Sequence, residues 1–137
     1  MTTDVADDVV SAEETAVRLS RAADWPAVAA FLSRRRDLMG RSVYHVDDTL
    51  PNVEIAGSRL HPSRTFLAER PGRGSCRPVV VGLSSWRATD APGLAEGLLL
   101  VDEGWAFRDV GTRLLDAAAE DARRWGIRAL VVPILPV

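Results

Sequence analysis

Glu96 lies among Leu94, Ala95, Gly97 and Leu98, at the start of a nearly unbroken apolar run. A carboxylate flanked by apolar residues should have a raised pKa, which suits a base working near neutral pH. The competing reading is an outward-facing strand residue, because neighbours on a strand alternate between faces. The run then continues into a second chemical feature. Residues 98–115 read as a buried strand, a short turn and the first turns of an amphipathic helix. A strand that enters a helix through a Gly-containing turn points free backbone N–H groups into the turn. Together with the helix dipole they form an anion site. The amides concerned run from Arg108 through Asp109, Val110 and Gly111 to Thr112, and the Arg108 side chain could add a charge-assisted bond. His45 and His61 have no Cys or carboxylate at ligand spacing, so no metal site is expected.

Composition narrows the classes. At 137 residues the chain is one domain, and an apolar content of 47% is enough for a real core. The net charge of −2 offers no basic field for nucleic acid. Lysine is absent, and all 17 cations are arginines. Cys76 stands alone, which excludes an intramolecular disulfide and points to a reduced cytosolic thiol. No window approaches the roughly 18 apolar residues of a membrane span. The acidic segment 1–14, with Asp4, Asp7, Asp8, Glu13 and Glu14, is wrong for a signal peptide and reads as a disordered tail. The domain is expected over 15–137.

The elements that must position these residues follow from periodicity. Residues 15–20 alternate, with Val17 and Leu19 facing one way, and suit a first strand. Asp24 then serves as a helix N-cap with Pro26 in the first turn, and Trp25, Val28, Phe31 and Leu32 form one apolar face. Arg34, Arg35 and Arg36 lie in the last turn, where cations complement the dipole. Residues 38–46 suggest a short second helix, and 50–62, with two prolines and a glycine, a loop. Residues 65–69 and 78–86 form a hairpin around the Pro71–Gly74 turn, and a second turn at 89–93 leads into a third strand, 94–101. A helix over 109–125 follows, with Val110, Leu114, Leu115, Ala118, Ala122 and Trp125 on one face and Gly126 just past its end. A last apolar strand runs from Ile127 to Leu135, interrupted by Pro133. The class is an α/β layered domain with a mixed sheet. The unit from Leu94 to Leu135 should be a right-handed crossover between parallel strands.

That order, with these residues, resembles the GCN5-related N-acetyltransferase (GNAT) superfamily. The family's acyl-CoA motif is an apolar strand, a Gln/Arg-x-x-Gly-x-Gly/Ala turn and an amphipathic helix. Here the turn reads Trp105-Ala106-Phe107-Arg108-Asp109-Val110-Gly111-Thr112-Arg113-Leu114-Leu115. Many members carry an aromatic at the Trp105 position, a basic residue at Arg108 and Gly at Gly111. The opening, from Val17 to Val28, also looks like the family's first strand and helix. Ala95-Glu96 and Ile134-Leu135-Pro136 look most like bacterial protein-lysine acetyltransferases.

The resemblance implies acetyl-CoA as co-substrate and an amine acceptor, either a small molecule or a protein lysine. It implies that the CoA pyrophosphate rests on the 108–112 amides. The pantetheine arm would lie between the strand of Leu99, Leu100 and Val101 and that of Leu130 to Val132, bonding like an added strand. Members of the protein-acetyltransferase branch use a Glu at the place of Glu96 as base.

Departures from the pattern carry expectations of their own. Ala106 stands at the Gln/Arg position, Phe107 in mid-turn, and Asp109 at the first Gly. Asp109 reads as an N-cap. A carboxylate there would oppose the pyrophosphate by about 3 kcal/mol per charge pair at roughly 5 Å and an effective dielectric near 20. That is about a hundredfold in binding. The family's usual C-terminal helix and strand pair are lacking, and Tyr44, the only tyrosine, cannot take the role of thiolate-protonating acid. The 127–135 strand should then be an exposed apolar edge, which predicts a homodimer, a partner chain or a truncated product. Two alternatives remain: a non-catalytic relative kept as a binding or regulatory module, and an unrelated small α/β domain.

Overall fold

The computed structural model describes residues 15–39, 44–47, 52–55, 58–72, 74, 77–102 and 107–132. In chain order the elements are β1 (Ala16–Leu19), α1 (Trp25–Met39), β2 (Tyr44–Asp47), β3 (Asn52–Ile55), β4 (Ser58–Leu60), β5 (Thr65–Arg70), β6 (Val79–Ala88), β7 (Leu94–Val101), α2 (Thr112–Arg124) and β8 (Ala129–Val131). A 3-10 turn over Ala22–Asp24 precedes α1, another over Pro62–Arg64 precedes β5, and a π-turn over Phe107–Gly111 leads into α2. Five strands form one mixed sheet in the order β1-β5-β6-β7-β8, and β2, β3 and β4 form a small antiparallel sheet. Only β7 and β8 run parallel within the large sheet, as a strand–helix–strand unit requires.

The helices cover opposite faces of the sheet. Trp25, Val28, Phe31 and Leu32 of α1 recur at helical spacing and pack on Leu67, Val80, Leu83, Leu98 and Leu100, with Leu60 of the small sheet closing the cluster. On the other face Val110, Leu114, Ala118 and Ala122 recur every four residues. They pack on Ala68, Val81, Val101, Trp86 and Ala95. A register shift at Ala68/Glu69 leaves Val81 as the extra residue of β6. The bulge interrupts the alternation, so that the consecutive residues Val81 and Gly82 both face the α2 core, between Val80 and Leu83 on the α1 side. Two polar bonds fix α2 to β6. Ser84 Oγ donates to the Leu114 carbonyl at 2.8 Å, and Trp86 Nε1 donates to Asp121 at 2.9 Å.

The readings of β1, β5, β6 and β7 hold with small boundary changes, and the end of α2 is as expected. Gly126 takes φ +84°, and the Ile127 amide bonds back to the Ala122 carbonyl at 3.1 Å. Other expectations fail. The region read as a second helix holds the end of α1 and the strand β2, and the region read as a loop holds β3 and β4. Pairing among three short strands supplies what local pattern does not, since β preference depends on cross-strand neighbours. The helical start lies at Phe107, ahead of Asp109, so Asp109 sits inside the opening turn and is not its N-cap. The last strand, expected from Ile127, is shorter and runs from Ala129 to Val131, with Ile127, Arg128 and Val132 outside it. Residues 133–137, and with them Pro133 and Leu135, lie outside the described residues, as does the 1–14 segment.

One ionic knot closes the start of the domain. Arg18 on β1 donates from Nε to Glu69 on β5 at 2.7 Å and from both terminal nitrogens to Asp24 at 2.7 and 2.8 Å. Asp24 also accepts the Arg21 amide at 2.7 Å. Asp24 therefore joins the first strand to α1 through its side chain, upstream of the helix it was expected to cap. The Arg18 guanidinium holds the Asp24 carboxyl below its ordinary value of 3.8, against the opposing effect of partial burial. A depressed carboxylate contributes stability that is present above the unfolded pKa and lost as pH falls through the folded one. Asp24→Asn should therefore cost about 1–2 kcal/mol at neutral pH. In thermal melts, its deficit against the unaltered chain should persist down to pH 3.8 and close below it. A deficit that does not depend on pH would remove the ionic explanation.

Candidate functional site

The β7–α2 unit places the expected phosphate turn at the end of a buried strand. Helical backbone begins at Phe107, and the π-turn Phe107–Gly111 overlaps the expected 108–112 amides at all but Thr112. Single π-turns inside helices are frequent at functional sites. Val110 is fully buried in the α2 core and anchors the turn from below. Gly111 has ordinary helical angles, φ −61° and ψ −45°, so no left-handed conformation explains a glycine there. Thr112 and Asp109 are exposed. The Asp109 carboxylate accepts no hydrogen bond among the described residues and stands exposed beside the turn. The Arg108 side chain lies outside the described residues.

The strand residues expected along the pantetheine arm divide by face. Leu100 is buried toward α1, Val101 toward α2, and Leu99 packs partly against the α2 core. Their side chains belong to the core, so the strand can offer a ligand only its main chain. The ladder to β8 runs from Leu94↔Ala129 to Glu96↔Val131, and β7 continues five residues further to Val101. Leu130 and Val132 crowd Gly97: a Cβ there would stand 2.9 Å from Val132 Cγ2 and 3.2 Å from Leu130 Cδ1. Glycine at this position lets β8 approach.

Glu96 points to the α1 face, alternating with Ala95 and Gly97. It is not enclosed by apolar groups. Its side chain is 47% exposed and pairs with Arg87, the residue directly across on β6. Nε and Nη2 of Arg87 both donate to Glu96 Oε2, at 3.1 and 2.9 Å, and Oε1 has no hydrogen bond among the described residues. The ion pair fixes the direction of the carboxylate and contributes little to stability at that exposure.

Sequence reasoning passed over the residues beside it. A small recess is lined by Leu60, Ser85, Trp86, Arg87, Glu96, Gly97 and Leu98. A second recess, of about 320 Å³, is lined by His61, Ser63, Arg64, Trp86 and Arg87. The hairpin register contained a usable signal. Once the turn at 89–93 is recognised, Ala88↔Ala95 and Arg87↔Glu96 follow as opposed pairs. The contribution of the 61–64 turn had no such signal. No group of three or more His, Cys, Asp or Glu among the described residues could hold a metal ion. No described helix is long and apolar enough to cross a membrane.

No model of a known protein family matches the chain, and no curated protein does. Solved structures do. N-acetylglutamate synthase from Neisseria gonorrhoeae, complexed with coenzyme A and N-acetyl-glutamate, aligns with a TM-score of 0.59 and 18% identity, over 86% of this chain and 24% of that one. A GCN5-related N-acetyltransferase from Kribbella flavida aligns at 0.57 and 23%, over 88% and 71%. An aminoglycoside acetyltransferase from a soil metagenomic sample, in complex with trehalose, aligns at 0.60 and 14%, over 90% and 79%. The chain thus spans about a quarter of the first of these proteins. The chain has the fold of the GCN5-related N-acetyltransferases.

The Gly97 contact gives a direct test of how β8 is held. Gly97→Ala should push β8 outward and destabilise the domain by about 1–3 kcal/mol. Hydrogen exchange should accelerate at the amides of Ala129, Leu130 and Val131 more than in β5 or β6. Equal acceleration throughout would mean that the contact does not govern this edge.

Proposed function

We propose that the chain is an acyl-CoA-dependent N-acyltransferase that moves an acetyl group from acetyl-CoA to a primary amine by direct transfer. The observation that carries this reading is the π-turn Phe107–Gly111, whose amides open a helix at the end of a buried strand in this fold. Those amides would bind the CoA pyrophosphate without reorganisation, with the Arg108 side chain adding a charge-assisted bond. The main chain of Leu99, Leu100 and Val101 would pair with the pantetheine arm as an added strand. Thioester and amine would then meet near Glu96.

In the step itself the amine nitrogen attacks the thioester carbonyl carbon. The carbon–sulfur bond breaks and the CoA thiolate leaves with the electron pair. Glu96 takes the proton that the attacking nitrogen must lose, through Oε1, while Arg87 holds Oε2. Both sources of acceptor amine, small molecule and protein lysine, are compatible with this chemistry. The lone-thiol composition supports a cytoplasmic setting. The outer edge of β8 carries Val131 at 55% exposure, close to Trp125 in sequence at 70%, which supports pairing of the 127–135 segment with a second copy or a partner chain.

Titration calorimetry with acetyl-CoA should give micromolar binding, and the ligand should raise the melting temperature by mass action. Absence of binding up to millimolar concentration would overturn the proposal. Glu96→Gln should keep that binding and lower the acetylation rate by about 10²–10⁴-fold. An unchanged rate would remove Glu96 from the chemistry.

A further inference from the structure

The recess at the end of β6 has a construction that bears on the acceptor. β5 begins at Thr65, opposite Ser85, so β6 runs three residues past its neighbour to Ala88. The turn Pro62–Arg64 flanks the notch this leaves. His61 Nδ1 holds that turn in place, accepting the Ser63 amide at 3.3 Å and lying 2.8 Å from Ser63 Oγ. Because strand neighbours alternate, Trp86 faces α2 and Arg87 faces the Glu96 side. The notch therefore opens toward both faces of the sheet, and Trp86 and Arg87 line both it and the recess of Glu96.

Arg64 is the unusual member. Its guanidinium lies over the Trp86 ring, 4.7 Å from the centroid. The indole beneath is buried and fixed by its bond to Asp121. Among the described residues Arg64 makes no ion pair, whereas Arg87 and Arg124 each make one and Arg18 makes two. A cation held over an aromatic face by the ring's quadrupole still has its N–H donors free to meet a carboxylate. The lining residues contribute two guanidiniums and no carboxylate to the notch itself; Arg87 is balanced by Glu96 next door, so Arg64 carries the net positive charge. The volume, about 320 Å³, is at the lower end of the range for small-molecule sites, roughly 300–1,000 Å³.

The site is distinct from the phosphate turn. Asp121, beneath the Trp86 indole, lies ten residues along α2 from Gly111, roughly 15 Å along the helix axis. One end of the helix would hold the CoA phosphates, and the other adjoins the notch.

We infer that the notch binds the carboxylate of the acceptor, so that the substrate class is a small amine bearing a carboxylate. Arg64 grips the anion, and the amine is directed toward Glu96. This rests on the acyltransferase reading. It assigns Arg64 as a specificity-determining residue and makes polycationic amines poor acceptors, since they would meet the Arg64 guanidinium.

The test uses matched acceptors: a panel of amino acids, each against its amide and its decarboxylated amine, with spermidine as the polycation. Acetylation is followed by release of the CoA thiol, and binding of the acceptors alone is followed by calorimetry. The carboxylate member of at least one pair should have a KM about tenfold to a hundredfold lower than its amide. Arg64→Gln should bring that ratio close to one, and Arg64→Lys should restore part of it. Melting temperatures of both variants show whether the domain still folds, and the Lys variant keeps the test open if the Gln variant does not. Equal KM values within every pair, a ratio unaffected by Arg64→Gln, or faster turnover of spermidine than of any amino acid would each overturn the inference. If acetyl-CoA fails to bind but amino acids still bind in an Arg64-dependent way, the acyltransferase reading falls while the carboxylate site stands.

Discussion

Burial of β6 on both faces is the constraint from which the rest of the arrangement follows. Residues 80–86 are all buried, and they include Ser84, Ser85 and Trp86, whose polar atoms need partners. Two find theirs in α2, Ser84 in the Leu114 carbonyl and Trp86 in the Asp121 carboxylate, and Ser85 finds its own in the Thr65 hydroxyl of β5. An unmade bond at any of these sites would cost about 1–3 kcal/mol. Sliding α2 along the sheet would break the Ser84 and Trp86 bonds together. The helix is thereby fixed in register along the strand, and with it the π-turn at one end and the notch at the other. Buried polar groups here set position more than they add net stability, because each exchanges a bond to water for one to protein.

The charges at the two ends of α2 then have a common logic. Amides open one end, and the helix dipole makes that end attractive to phosphate. The other end carries Arg123 and Arg124 in its last turn, the favourable sign for the negative pole. The notch beside Trp86 is positive for a different reason, because its guanidiniums come from the Pro62–Arg64 turn and from β6 and owe nothing to the helix. Glu96 lies between these fields with one oxygen paired. Exposure weakens that pair as a source of stability, yet two donors converging on Oε2 still restrict where the carboxylate can turn.

What the sequence disclosed and what it withheld divide along physical lines. Local periodicity was sufficient for β7, whose bounds the structure reproduces, and for the apolar faces of α1 and α2. The Schellman-like end at Gly126 was legible because a single residue type at one position carries that information. The strands β2, β3 and β4 were not legible. They are three or four residues long, too short for the alternation in β2 and β3 to stand out, and exist through pairing with one another. Glu96 was read as enclosed by its sequence neighbours. On a strand those neighbours face away or lie along the edge, and the group that decides the environment of Glu96 is Arg87, nine residues earlier and directly opposite. Asp109 was misread because the start of the helix was placed two residues late. In a strand-to-helix turn that shift exchanges a capping side chain for an outward one.

The π-turn itself offers a reason why a turn so far from the usual pattern can keep this fold. A turn with wider backbone winding contributes an additional unbonded amide at the opening of the helix compared with an α-turn. It does so with Gly111 in ordinary helical angles and Val110 locked in the core. The amide array then depends on where the backbone is held and not on a glycine being present at each point of close approach. Val110 and Leu114 hold it against Val81 and Val101, the same layer that the bulge at Ala68/Glu69 creates by turning Val81 toward α2. An irregularity in β6 thus supports an irregularity at the head of α2, and the position of the turn's amides depends on both.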